Sequence, residues 1–118
     1  GCSSYFKGGV VAYHTKSKID LLEIPDDIIL KYSVVSEQVA EIMAKQVKAK
    51  YNTDFGIATT GNAGPLKGDS DAEIGTVWIA IATDKGVVNK KFVFGKHRER
   101  VIGKAVNKAL ELVYKELI

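Results

Sequence analysis

Three side chains near the start of the sequence carry the chemistry of a serine hydrolase: Ser3, in the turn Gly1-Cys2-Ser3-Ser4, together with Tyr13 and Lys18. A serine hydroxyl is a weak nucleophile until a base takes its proton, and lysine is such a base only when its ammonium form is destabilised. The position of Lys18 supplies a reason for that. With Thr15 read as the N-cap of a short helix, Lys18 falls at the third helical position, near the positive end of the helix dipole, where a capping box would place glutamate. A cation held there and desolvated has a lowered pKa. The ordinary alternative is a surface lysine whose ammonium reaches back into water, and the sequence leaves both readings open.

Two further segments suit an anionic ligand. The run Thr60-Gly61-Asn62-Ala63-Gly64-Pro65 follows a strand and is built of small residues, so that its backbone N–H groups can approach a phosphate or an oxyanion. It matches neither a P-loop nor a dinucleotide fingerprint. Gly95-Lys96-His97-Arg98 precedes the last helix, where N–H groups and basic side chains converge. The bland readings are a connecting turn and a solvated helix start. No metal is expected, because His14, His97 and Cys2 lack ligand spacing. A Ser-His-Asp triad ranks low without a nucleophile elbow.

The elements that must position these residues follow from the apolar spacing. Gly8 to His14 reads as a strand buried on both faces, and Thr15 to Leu22 as a helix stopped by the Ile24-Pro25 step. Asp26 and Asp27 open another turn. Ser36 caps a helix ending near Tyr51-Asn52, with Val39, Ile42, Met43, Ala44 and Val47 on its buried face. Phe55 to Thr59 reads as a short buried strand, and the loop after it as too small-residued to be core. Two strands, 75–82 and 86–94, make an antiparallel hairpin around Asp84-Lys85-Gly86. Arg98 to Leu117 carries Ile102, Val106, Ala109, Leu110, Val113 and Leu117 at helical spacing. The order predicts an α/β (α+β) fold, a mixed sheet covered by helices in three layers, as a single domain over residues 1–118.

With 118 residues and 46% hydrophobic content, one core is what the chain can support. No stretch reaches the roughly 20 apolar residues of a membrane span, and one cysteine suits a reducing compartment, so a cytoplasmic setting is expected. Seventeen basic against fourteen acidic side chains leave a net charge of +3, too little to argue for nucleic acid. The excess concentrates between Lys85 and Lys104, which suits an anionic small molecule or a nucleic acid, with a solvated face as the ordinary alternative; no reading helix or aromatic platform accompanies it.

Taken in order, these segments resemble the CinA C-terminal domain family, also known as nicotinamide-nucleotide amidases. The resemblance is carried by Gly1-Cys2-Ser3-Ser4-Tyr5-Phe6-Lys7-Gly8-Gly9-Val10-Val11-Ala12-Tyr13 and by Lys18-Ile19-Asp20-Leu21-Leu22. Ala40, the loop from Thr60 to Pro65, and Gly75-Thr76-Val77-Trp78 extend it. It implies hydrolysis of nicotinamide mononucleotide to nicotinic acid mononucleotide and ammonia, without metal or cofactor. It places the nucleophile on Ser3, the lysine base on Lys18 and an orienting tyrosine on Tyr13. Thr60, Gly61, Asn62, Ala63, Gly64 and Arg98 are implied to contact substrate.

The chain departs from the family pattern in lacking a preceding strand and helix with the motif E-S-C-T-G-G, so it is expected to be N-terminally truncated. Cys2 replaces a usual serine, Asn62 a usual aliphatic residue, and Ala72-Glu73 a common Lys-Pro. Asn62 borders the expected pocket and bears on substrate identity. A catalytically silent nucleotide-binding or scaffold domain is the competing reading. An incomplete sheet edge favours a homo-oligomer.

Overall fold

The computed structural model describes residues 1–66 and 72–117. The acidic stretch expected between the small-residue loop and Glu73 lies largely outside them. After a 3-10 turn at Cys2–Ser4, the elements are α1 (Thr15–Leu22), α2 (Asp26–Tyr32), α3 (Glu37–Tyr51), β1 (Gly56–Gly61), β2 (Thr76–Thr83), β3 (Gly86–Val93) and α4 (Arg98–Leu117).

The three strands form one sheet in the order β1-β2-β3, antiparallel throughout. Because side chains alternate across a strand, β2 feeds two cores. Ala80 and Ala82 join Ala58 of β1 against Val39, Ala40, Met43 and Ala44 of α3. Val77 and Ile79 face the other way, onto Val101 and Ala109 of α4. The result is three layers, helix, sheet and helix, as the α+β reading anticipates. The alanine-rich first interface lets α3 lie close to the sheet, and at Gly56 an added Cβ would strike the Ala44 carbonyl oxygen and Lys48.

Caps fix the helix ends. The Ser36 hydroxyl accepts from Val39 N–H at 3.3 Å and donates to the Ser33 carbonyl at 2.8 Å, which starts α3 where the sequence places it. Asn52, in the left-handed region at φ 51°, ends that helix. Asp26 and Asp27 in the first turn of α2 suit its dipole.

Three expectations need correction. Gly8 to His14 is not a strand: Val10 and Ala12 turn inward while Val11 and Tyr13 are exposed, the alternation of extended chain with no neighbouring strand among the described residues. A β-ladder needs a partner for its N–H and C=O groups, and composition cannot supply one. The segment is held instead by the Tyr51 hydroxyl, which donates to the Gly9 carbonyl at 3.0 Å. Second, β1 extends to Gly61 and is buried on one face only, alternating with exposed Ile57, Thr59 and Gly61. Third, on α4 only Val101 and Ala109 are buried, and Ile102, Val106, Leu110 and Leu117 face outward.

Candidate active site

The cap of α1 is His14, whose Nδ1 accepts from Lys16 N–H at 3.1 Å; Thr15 is the first helical residue. Lys18 therefore lies at the fourth helical position, one later than the sequence suggests. The stronger correction concerns its surroundings. Lys18 is 8% exposed, and its Nζ donates to the Ala12 carbonyl oxygen at 2.7 Å. No carboxylate pairs with it among the described residues, and burial lowers its pKa from the ordinary lysine value. Of the two open readings, the solvated surface lysine is excluded. A neutral amine at Lys18 keeps a lone pair free for a proton while its own N–H remains bound to Ala12.

Lys18 lines a cleft of about 710 Å³ between the 10–15 segment, the end of β1 and the first turns of α4. Tyr13 is on its rim, 81% exposed, and Arg98, Ile102 and Val106 bring α4 to the same space. The 59–63 stretch forms another wall. Thr60 and Asn62, 5% and 6% exposed, are core-like, against the expectation of a surface loop.

Their burial has a hydrogen-bonding cause. The Thr60 hydroxyl donates to the Val34 carbonyl at 2.7 Å. Asn62 N–H donates to the Thr76 carbonyl at 2.9 Å, and its own carbonyl accepts from Gly75 N–H at 2.6 Å. Its side-chain Nδ2 donates to the Ala72 carbonyl at 3.2 Å, so Asn62 pins both strands at the base of the 62–75 excursion. Gly61 allows this crossing, since a Cβ there would lie 2.8 Å from Val77 Cγ2. Gly64, at φ 85°, turns the chain, and its carbonyl accepts from Arg98 Nη1 at 2.9 Å. Arg98 thereby ties the start of α4 to the loop. The N–H groups of Ala63 and Gly64 donate to no group among the described residues.

The structure thus brings together Lys18, Tyr13, Thr60, Gly61, Asn62, Ala63 and Arg98 on one cleft, with Gly64 joined through Arg98. It does not bring Ser3 there. Ser3 is exposed in the 3-10 turn, lies outside the cleft walls and forms no hydrogen bond with Lys18. Sequence reasoning missed His14 as the cap and the carbonyls of Ala12 and Val34 as the groups that hold Lys18 and Thr60. The imidazole acceptor just before the helix was a readable signal for the first. Backbone carbonyls carry no sequence signal.

Comparison with known proteins matches residues 1–117 to the family model described as the CinA C-terminal domain. A CinA-like protein of Flavobacterium psychrophilum is 59% identical over 118 residues, covering 100% of this chain and 28% of that protein. A CinA-like protein of Cytophaga hutchinsonii is 38% identical over 117 residues, covering 99% of this chain and again 28% of the relative. The chain therefore spans just over a quarter of the length of these relatives. Among solved structures, competence damage-inducible protein A from Klebsiella pneumoniae superposes with a TM-score of 0.87 at 31% identity, over 92% of this chain and 68% of that one. A CinA superfamily protein from Enterobacter cloacae gives 0.88 at 26% identity, over 93% and 65%.

Proposed function

This chain belongs to the CinA C-terminal domain family, and on that footing we propose that it forms the substrate cleft of an amidase hydrolysing the carboxamide of nicotinamide mononucleotide. The products are nicotinic acid mononucleotide and ammonia. The observation that carries the reading is Lys18: a buried amine without a counter-ion among the described residues, its pKa lowered by desolvation, opening on a cleft large enough for a mononucleotide.

In the proposed reaction, neutral Lys18 takes the proton of a serine hydroxyl as the oxygen attacks the carboxamide carbon. The tetrahedral oxyanion is met by backbone N–H groups. The resulting ammonium of Lys18 returns the proton to the leaving nitrogen, the C–N bond breaks and ammonia departs. Lys18 then deprotonates water, which attacks the acyl ester; the bond from the acyl carbon to the serine oxygen breaks as the Lys18 ammonium returns its proton to that oxygen, releasing the acid and regenerating the serine and the neutral base. Tyr13 orients the base or relays the proton to nitrogen, while Arg98 and the N–H groups of Ala63 and Gly64, which donate to no described residue, receive the phosphate.

The serine assigned here is Ser3, which must approach Lys18 to within hydrogen-bonding reach, roughly 3 Å, by a swing of the N-terminal turn. Its exposed position favours a second reading, in which the nucleophile comes from outside this chain and Lys18 keeps its role. A silent nucleotide-binding domain keeps the cleft without turnover. Ammonia release from nicotinamide mononucleotide separates the three, measured on this chain and on a longer homologous protein with Ser3→Ala and Lys18→Met in each. Loss with both substitutions supports the Ser3 assignment. Loss with Lys18→Met alone moves the nucleophile elsewhere, and no turnover in any form leaves binding only.

Among the described residues no helix is long and apolar enough to cross a membrane. Cytoplasmic nucleotide salvage is the proposed setting. A homo-oligomer is part of the same proposal, supported by the outward-facing Leu110, Tyr114 and Leu117 of α4, which lie outside the cleft, and sedimentation tests it.

A further inference from the structure

We infer that Asn62 presents its side-chain oxygen to a ribose hydroxyl, and that this contact makes the cleft prefer a ribonucleotide over the same ligand lacking that hydroxyl. The inference deepens the amidase reading and rests on the mononucleotide site it assigns.

Asn62 has all but one of its hydrogen-bonding atoms committed to described residues. Its backbone N–H and C=O are bound to Thr76 and Gly75, and Nδ2 is bound to the Ala72 carbonyl. That last bond sets which way the planar amide faces. No described residue donates to Oδ1, and Asn62 lines the cleft. Among the described residues no buried side-chain oxygen or nitrogen lacks a partner, so this unpaired oxygen is open to the cleft and is an acceptor for an O–H or N–H donor of a ligand. Thr60, two residues earlier near the end of β1 and also on the cleft, has its hydroxyl proton on the Val34 carbonyl, so its oxygen is likewise fixed as an acceptor.

Three chemistries then meet in the cleft. Arg98 and the N–H group of Ala63, which donates to no described residue, are donors suited to phosphate. Lys18 is the base and belongs at the carboxamide. Thr60 and Asn62 are acceptors, which a phosphate or a carboxylate repels. A mononucleotide carries one kind of group for each, and the ribose is bonded directly to the phosphate, as Asn62 directly adjoins Ala63 and Gly64. The ribose hydroxyls are therefore the donors assigned to Asn62. A site built to bond a hydroxyl rejects the ligand without it, because its own polar group is left unpaired.

The test is calorimetric binding of nicotinamide mononucleotide and its 2′-deoxy and 3′-deoxy counterparts, which needs no turnover. The wild-type chain is expected to bind the ribo form about five- to tenfold more tightly than one of the deoxy forms, the size of one hydrogen bond. Asn62→Val removes the acceptor, and the ratio should fall close to one. Asn62→Asp keeps an acceptor but loses the tether to Ala72. It should weaken all three ligands through its added charge while preserving the ratio. Equal wild-type affinities for all three ligands overturn the inference and leave the mononucleotide site standing. So does collapse of the ratio in both variants, which marks Asn62 as structural only, or its survival in Asn62→Val. A folded wild-type chain that binds no mononucleotide at all overturns the inference together with the functional reading.

Discussion

Lys18 Nζ donates to the Ala12 carbonyl oxygen at 2.7 Å, and this single bond is what holds a buried lysine amine in the cleft. Desolvation lowers its pKa in the folded protein, whereas the unfolded chain restores the ordinary value of 10.5. The unfolded state therefore binds the proton more tightly. Below the folded pKa both states are protonated and the full penalty acts; it is relieved as pH rises through the folded pKa toward 10.5. Replacing a buried charge by an apolar group of similar length removes that penalty. Lys18→Met is expected to raise the melting temperature at neutral pH and to abolish the alkaline gain seen in the parent, read from thermal melts across that window.

The same shift predicts the pH dependence of catalysis under the amidase proposal. The neutral amine is the active form, so kcat/KM should climb with pH along one limb whose midpoint lies below the ordinary lysine value. A flat profile in ammonia-release assays would remove Lys18 from the role of base.

Arg98 holds the loop through Gly64 and is the cation of α4 on the cleft. Charge-assisted hydrogen bonds contribute about 1.5–3 kcal/mol, so Arg98→Ala should raise the dissociation constant for a mononucleotide by about ten- to a hundredfold. Arg98→Lys should recover little, because one ammonium does not reproduce two directed guanidinium contacts. Titration with nicotinamide mononucleotide beside its dephosphorylated nucleoside gives the check: the loss should be confined to the phosphorylated ligand.

Gly75 is the tightest crossing in the fold. At φ 92°, its hydrogen position faces the Gly95 carbonyl oxygen, and any Cβ would collide with that backbone. Gly75 also donates to Asn62 and accepts from Phe94 N–H. Gly75→Ala is expected to leave little folded protein by circular dichroism, whereas Gly103→Ala, where nothing lies within 4 Å, should gain helix stability of about 0.5–1 kcal/mol.

The two apolar populations of the α4 side should separate in mutation. Ile79, fully buried against α4, should cost on the order of 2–5 kcal/mol on truncation to alanine. Leu110, 62% exposed on the helix itself, should change stability within about 0.5 kcal/mol on the same truncation. Urea denaturation midpoints distinguish them.

Much of this was readable before any coordinates. Ser36 and the spacing from Val39 to Val47 specified α3, because a cap and a periodic apolar face are local properties. The hairpin around Asp84-Lys85-Gly86 and the helix from Arg98 were specified in the same way. Tyr13, Lys18, Thr60, Gly61, Asn62, Ala63 and Arg98, singled out in the sequence, lie together on the cleft. What failed were judgements about partners. Gly8 to His14 has the composition of a strand, but pairing is a relation to another segment. The stripe on α4 has the period of a buried face, but the sheet covers only the side bearing Val101 and Ala109.

The sequence by itself determined the helices, the hairpin, the family and the residue types at the cleft, since each is written in short-range spacing. Only the tertiary structure decided that Lys18 is desolvated, that Thr60 and Asn62 are buried, and that Ser3 stands outside the cleft. Those outcomes depend on which backbone carbonyls arrive from distant segments: Val34 at Thr60, Ala72 at Asn62, Gly64 at Arg98. Such carbonyls are common to every residue, so no side-chain pattern announces them, and the chain must fold before their positions exist.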